Sequence, residues 1–109
     1  MPWKVLYFQT INGRYPVKEF IESTDRVTHA RIINMLLNLS QVGPFIHKPF
    51  SKKIARNIYE LRVKSQVSVR IFYCFHENNI YLLSAFKKQG QKLPPRKLAI
   101  ALDRAKQLV

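Results

Sequence analysis

The amino-acid sequence predicts an α+β fold: an N-terminal strand and an αα-hairpin packed on an antiparallel β-sheet meander, with a short C-terminal helix. Two patterns predict it. Apolar residues recur at helical spacing between Pro16 and Gly43, and they alternate with period two between Ile58 and Phe86. A chain of 109 residues suits one domain, spanning 1–109. With 47% hydrophobic and 12% aromatic residues it can fill a core, and 3 Gly with 6 Pro argue against a low-complexity chain.

Trp3 to Phe8, aromatic and β-branched, reads as the first strand. Asn12-Gly13 signals a turn. Pro16 suits the first position of a helix carrying Val17, Phe20 and Ile21. Thr24 with Asp25 supplies an N-cap for a second helix. Ile32, Met35, Leu36 and Leu39 form its apolar face, and Gly43-Pro44 stops it. Phe45 to Ala55 holds Pro49 and several basic residues and reads as a connecting loop.

Three strands follow. In Ile58 to Val63, Tyr59, Leu61 and Val63 share one face, while Glu60, Arg62 and Lys64 share the other. In Val67 to Phe75, Val67, Val69, Ile71, Tyr73 and Phe75 oppose Ser68, Arg70, Phe72 and Cys74. Asn78-Asn79 is a turn, and Ile80 to Phe86 is the last strand. Pro94-Pro95 then opens a helix bearing Leu98, Ala101, Leu102 and Ala105. Short connections favour pairing of successive strands.

The charge is strongly one-sided. Nineteen Lys and Arg against six Asp and Glu leave +13. Self-repulsion of that size opposes compactness, so the excess points to a polyanion: nucleic acid, an anionic membrane or an acidic protein. Solubility alone is served as well by mixed signs. From Lys48 onward fourteen basic residues accompany three acids, so the ligand surface is expected in the second half. Cys74 is the single cysteine, which excludes an internal disulfide, and its apolar run suits a buried, inert thiol. No secretory signal is visible in MPWKVLYFQT, and no window approaches the roughly 18 apolar residues of a spanning helix. A cytoplasmic location is the expectation.

Arg62 and Arg70 are the leading candidates for chemistry. Both lie mid-strand on the less apolar face, and if the strands are adjacent their guanidinium groups converge. A guanidinium stays charged at working pH and binds phosphate oxygens bidentately. Glu60, two residues from Arg62, is either a general base or the ion-pair partner that orients Arg62; the second role is the commoner one. Lys87 and Lys88 extend the positive surface from the last strand. Lys52, Lys53, Lys64 and Lys92 are candidates for backbone contacts to RNA. For Lys92 a merely solvated face is the competing reading. Phe72, Phe86 and Tyr59 are candidates for stacking on unpaired bases, Phe72 first because it shares Arg70's face, although strand aromatics are more often core.

No Gly-rich phosphate loop, Cys/His metal spacing, paired carboxylates or Ser/His/Asp set is present in the sequence. Six scattered acids do not offer the clustered ligands of a metal-dependent nuclease, so neither metal nor other cofactor is expected. If the chain cuts RNA, the route open to it is attack by the RNA's own 2′-hydroxyl on the adjacent phosphate. The protein would orient that attack and stabilise the developing charge.

The runs Tyr59-Glu60-Leu61-Arg62, Arg70-Ile71-Phe72-Tyr73 and Phe86-Lys87-Lys88, with the helix opening Pro16-Val17-Lys18-Glu19-Phe20, resemble the RelE/HigB (RelE/ParE) toxin superfamily. The likeness is closest to its phage-related, HigB-like branch. That resemblance implies a toxin of a type II toxin–antitoxin system: an mRNA endonuclease acting in the ribosomal A site and silenced by a cognate antitoxin. Its active-site positions fall on Arg62, Arg70 and Lys88, with Lys87 alongside. Two positions depart from some members: Glu60 stands where they carry a lysine, and Leu93-Pro94 where they carry a tyrosine. A gyrase-poisoning toxin of the same fold and a non-catalytic nucleic-acid-binding module are the alternatives. A membrane-surface role fits less well, because the basic residues lie mostly on strands and loops.

Overall fold

The computed structural model describes residues 2–108. The strands are β1 (Lys4–Tyr7), β2 (Ser51–Ala55), β3 (Ile58–Lys64), β4 (Ser68–His76) and β5 (Asn79–Lys87). The helices are α1 (Pro16–Glu22), α2 (Arg26–Val42) and α3 (Pro95–Lys106), with a 3₁₀ turn at Gly43–Phe45. The α+β architecture is the one read from the sequence, with two differences in the sheet.

First, the segment expected to be a loop contains β2, the edge strand of a five-stranded sheet ordered β1-β5-β4-β3-β2. Its register pairs Ser51 with Leu61, Lys52 with Glu60 and Lys53 with Tyr59. An edge strand needs only one partner, and lysines on it discourage further pairing, so its composition looks like a loop's. Second, the sheet is mixed rather than wholly antiparallel. β2 to β5 form the meander, but β1 pairs with β5 in parallel, Lys4 against Asn79 and Tyr7 against Leu82.

The helical hairpin forms where its caps are. Asp25 accepts a hydrogen bond from the Thr28 backbone N–H at 2.9 Å, capping α2. The buried Thr28 hydroxyl bonds the same carboxylate at 2.8 Å and lies 2.8 Å from Ser65 Oγ, which ties the helix start to the β3–β4 turn. At the other end Gly43 takes φ +54° beneath the Trp3 indole, a conformation and a space that suit only glycine. The Trp3 backbone N–H donates to Ser40 O at 2.7 Å and the Ser40 hydroxyl donates to Trp3 O at 2.6 Å, so β1 is fastened to α2 as well as to β5.

α1 and α2 cover one face of the sheet. Val17, Ile21, Ile32, Leu36 and Leu39 meet Leu61, Val63, Val69, Ile71, Tyr73, Ile80 and Leu82 there. α3 covers part of the opposite face. Ala101 with Leu98 and Ala105 packs over Ile58, Phe72, Cys74, Leu83, Phe86 and Phe8 in a second, smaller core. The Arg104 guanidinium holds α3 down by donating to Leu83 O at 2.6 Å and lying 5.6 Å from the Phe8 ring centre. α3 does not cover the whole sheet evenly: it lies mainly on β4 and β5 and touches β3 only around Ile58, at the start of that strand. The β2–β3 side of that face stays open. Among the described residues no helix is long and apolar enough to cross a membrane.

Candidate nucleic-acid interface

The meander's register sets the open face. Arg62 of β3 stands directly opposite Arg70 of β4, and Arg70 in turn opposes Phe86 of β5. One step along, Glu60 lies between Lys52 of β2 and Phe72 of β4. One step the other way, Lys64 opposes Ser68, whose carbonyl accepts the Lys88 backbone N–H at 2.8 Å. Cross-strand partners share a face, with side chains roughly 5 Å apart. Lys52, Glu60, Arg62, Lys64, Arg70 and Lys88 therefore form one patch of five cations around one carboxylate.

Like charges directly opposite one another destabilise a ladder. Glu60 offsets this. Its side chain is 4% exposed, and its two oxygens divide between the arginines, Oε1 lying 3.0 Å from Arg62 Nε and Oε2 lying 3.6 Å from Arg70 Nε. Of the two roles open to Glu60 in the sequence, the geometry is that of an ion-pair partner, and it serves both arginines. A buried carboxylate so placed orients two guanidinium groups that would otherwise splay apart.

The arginines are not consumed by that contact. Arg62 Nε donates to Glu60, and its side chain is 31% exposed. Arg70 is 14% exposed and donates from Nη1 to Val69 O at 3.3 Å, while its Nε has no hydrogen-bond partner among the described residues. Burial draws the Arg70 guanidinium below the usual arginine range; Glu60 works against that, and Arg62 adds to it. A partly desolvated cation with an unmet donor, set beside a second cation, gains from an added anion. Two guanidinium forks on adjacent strands can grip one phosphate from two sides.

Other predicted site residues part company with this patch. Lys87 opposes Val69 of the first core, so its side chain leaves on the α2 side of the sheet, not the arginine side. Lys53 goes the same way, with its ammonium 6.0 Å from the Tyr59 ring centre. Strand alternation separates each from its sequence neighbour, Lys88 or Lys52. Lys88 Nζ donates to Gln91 O at 3.2 Å. Lys92 is exposed in the segment between β5 and α3.

Phe72 and Phe86 are corrected from base-stacking candidates to core residues. Phe72 is fully buried and Phe86 is 5% exposed; the rings meet edge to face at 5.2 Å under α3, and Lys97 Nζ lies 5.9 Å from the Phe86 ring. Neither ring offers a free face to a base. The aromatic that sequence reasoning passed over is Phe50, which is 42% exposed. Its carbonyl accepts the Arg62 backbone N–H at 2.8 Å from the turn that leads into β2, which sets Phe50 beside Arg62 at the end of the arginine row. Ser51, next to it, is also functional in the fold: its hydroxyl lies 2.6 Å from the buried Tyr73 hydroxyl.

The patch is a face, not a cavity. A cleft of about 630 Å³ opens elsewhere, between β1 and the end of α3, lined by residues including Tyr7, Phe8, Tyr81 and Leu108. It carries no cation from the second half of the chain. Among the described residues no three His, Cys, Asp or Glu side chains gather as a metal site would require.

No curated protein matches the chain closely enough to assign a relative. A scan of protein families matches residues 19–106 to the family described as phage derived protein Gp49-like. The match begins in α1 and runs to the end of α3, taking in most of the helical hairpin, the entire meander and every residue of the cationic patch. The chain thus belongs to the phage-derived Gp49-like family, a RelE/ParE-like toxin family of toxin–antitoxin systems whose membership implies a cognate antitoxin.

Proposed function

We propose that this toxin is a metal-independent mRNA endonuclease of the HigB-like branch, acting on the ribosome and inhibiting translation. The observation that carries the reading is the direct opposition of Arg62 and Arg70 on an open face, with Glu60 aligning both. In this reading the two guanidinium groups grip the scissile phosphate. The 2′-hydroxyl attacks the adjacent phosphorus as its proton passes to solvent, the P–O5′ bond breaks, and Lys88 protonates the departing 5′-oxygen. The products are a 2′,3′-cyclic phosphate and a free 5′-hydroxyl. Charge grows on the phosphoryl oxygens along this path, so fixed cations favour the transition state over the ground state.

Lys52 and Lys64 flank the arginines and follow the RNA backbone, each adding about one unit to the salt dependence of binding. Glu60 acts as a positioning residue. The cognate antitoxin silences the toxin, and a cationic face suits an acidic blocking segment. In this account the protein works in the cytoplasm, where ribosomes and mRNA are.

Induction in cells followed by mapping of mRNA 5′ ends tests the proposal. New ends inside open reading frames, lost on co-expression of the neighbouring gene product, are expected. Growth arrest with DNA breaks and intact mRNA would favour the gyrase-poisoning reading instead. Steeply salt-dependent RNA binding without arrest would favour a non-catalytic module.

A further inference from the structure

We infer that Phe50 is a stacking platform for an unpaired base beside the phosphate held by Arg62 and Arg70, so the substrate is read as single-stranded RNA. The inference rests on the nuclease reading and adds a second kind of contact to it.

Exposed apolar side chains are common, and most need no explanation. Phe50 differs in how firmly its backbone is held and in what surrounds it. Its N–H donates to His47 O at 2.9 Å, as does the N–H of Ser51 at 3.1 Å. Its carbonyl takes the Arg62 N–H at 2.8 Å, and the Ser51 hydroxyl is locked on Tyr73. A backbone fixed on both sides carries a ring that joins neither core cluster and stays 42% exposed. The backbone that carries the ring is held before a ligand arrives, so little backbone ordering is lost on binding.

The neighbours supply the charge. Phe50 ends the row that continues through Arg62 and Arg70, and the next residue of β2 on that face is Lys52. An aromatic ring at the end of a cationic row is the pairing that single-stranded nucleic acid requires, with bases on the ring and phosphates on the cations. The bases of a duplex are already stacked and cannot use such a ring. At the other end of the row Phe86 is covered by α3, so among the described residues of this row Phe50 is the one that carries an exposed ring.

The test uses the full chain and a short RNA with every 2′-hydroxyl methylated, which removes the nucleophile and leaves binding alone. Phe50→Trp places a fluorescent reporter in the row, read as the difference from wild-type protein, whose one tryptophan is Trp3. The single-stranded probe is expected to quench the introduced indole, and the same sequence as a duplex is not. Phe50→Ala is expected to bind the single strand roughly ten-fold more weakly, and Phe50→Tyr to restore it. Unchanged urea midpoints confirm that the variants are folded. Equal affinity of wild type and Phe50→Ala, or equal quenching by strand and duplex, overturns the stacking site. Neither result touches the nuclease reading, which mapping of mRNA 5′ ends decides on its own.

Discussion

Arg62 and Arg70 are direct partners across the β3–β4 ladder, and one buried carboxylate, Glu60, reaches both. Two like charges placed face to face cost stability unless something holds them. A sheet kept in that state carries the cost for a reason outside its own folding, and binding a phosphate is such a reason.

Removing the carboxylate exposes the repulsion. Glu60→Ala is expected to destabilise the protein by about 1–3 kcal/mol, below the range for fully buried pairs because Arg62 is partly exposed. The loss should shrink as salt is raised, since screening weakens arginine–arginine repulsion. Urea unfolding at low and high salt checks both. A loss that does not respond to salt would point to packing rather than charge.

Gly43 is expected to tolerate no side chain. Its φ of +54° disfavours other residues, and an added Cβ would overlap the Trp3 indole. Gly43→Ala should cost roughly 2–4 kcal/mol, combining the left-handed backbone with overpacking. Thermal unfolding measures it. Because the arginine patch lies on the opposite face from α2, RNA binding by the remaining folded fraction should be unchanged.

Cys74 is expected to be chemically silent in the folded protein. Burial pushes its thiol up to about 11, from an ordinary value of 9.0. The folded state therefore keeps a proton that the unfolded state gives up. Stability from this group is fully present below pH 9 and is lost as pH rises through about 11. Labelling with an aromatic disulfide at about pH 8 should follow the unfolding rate, not the rate of an exposed thiol. Fast labelling of native protein would contradict the packing of the second core.

Much of this architecture is legible in the sequence, and particular residues show where legibility ends. The caps at Pro16, Asp25 and Gly43 are local chemistry, so helix boundaries follow from them. The alternation in β3 and β4 by itself puts Glu60, Arg62 and Arg70 on one face. β2 is hidden because Lys52 and Lys53 sit at an edge, where solvent accepts charge on either side. The parallel pairing of β1 with β5 is hidden because it joins segments more than seventy residues apart. Phe72 and Phe86 look like partners of the arginines because period two assigns a face but does not say what covers it. α3 covers it. Lys87 is different: its separation from Lys88 follows from alternation alone. Phe50 is overlooked with the strand it precedes.

The measurement closest to the central claim is the rate of mRNA cleavage on programmed ribosomes by wild type, Arg62→Ala, Arg70→Ala and the double variant, each shown to be folded. Groups that act as a unit on one phosphate lose their effect together. Each single variant is expected to fall about 100-fold or more, with the double variant little worse than either. A folded Arg70→Ala protein that cuts at the wild-type rate would contradict the account.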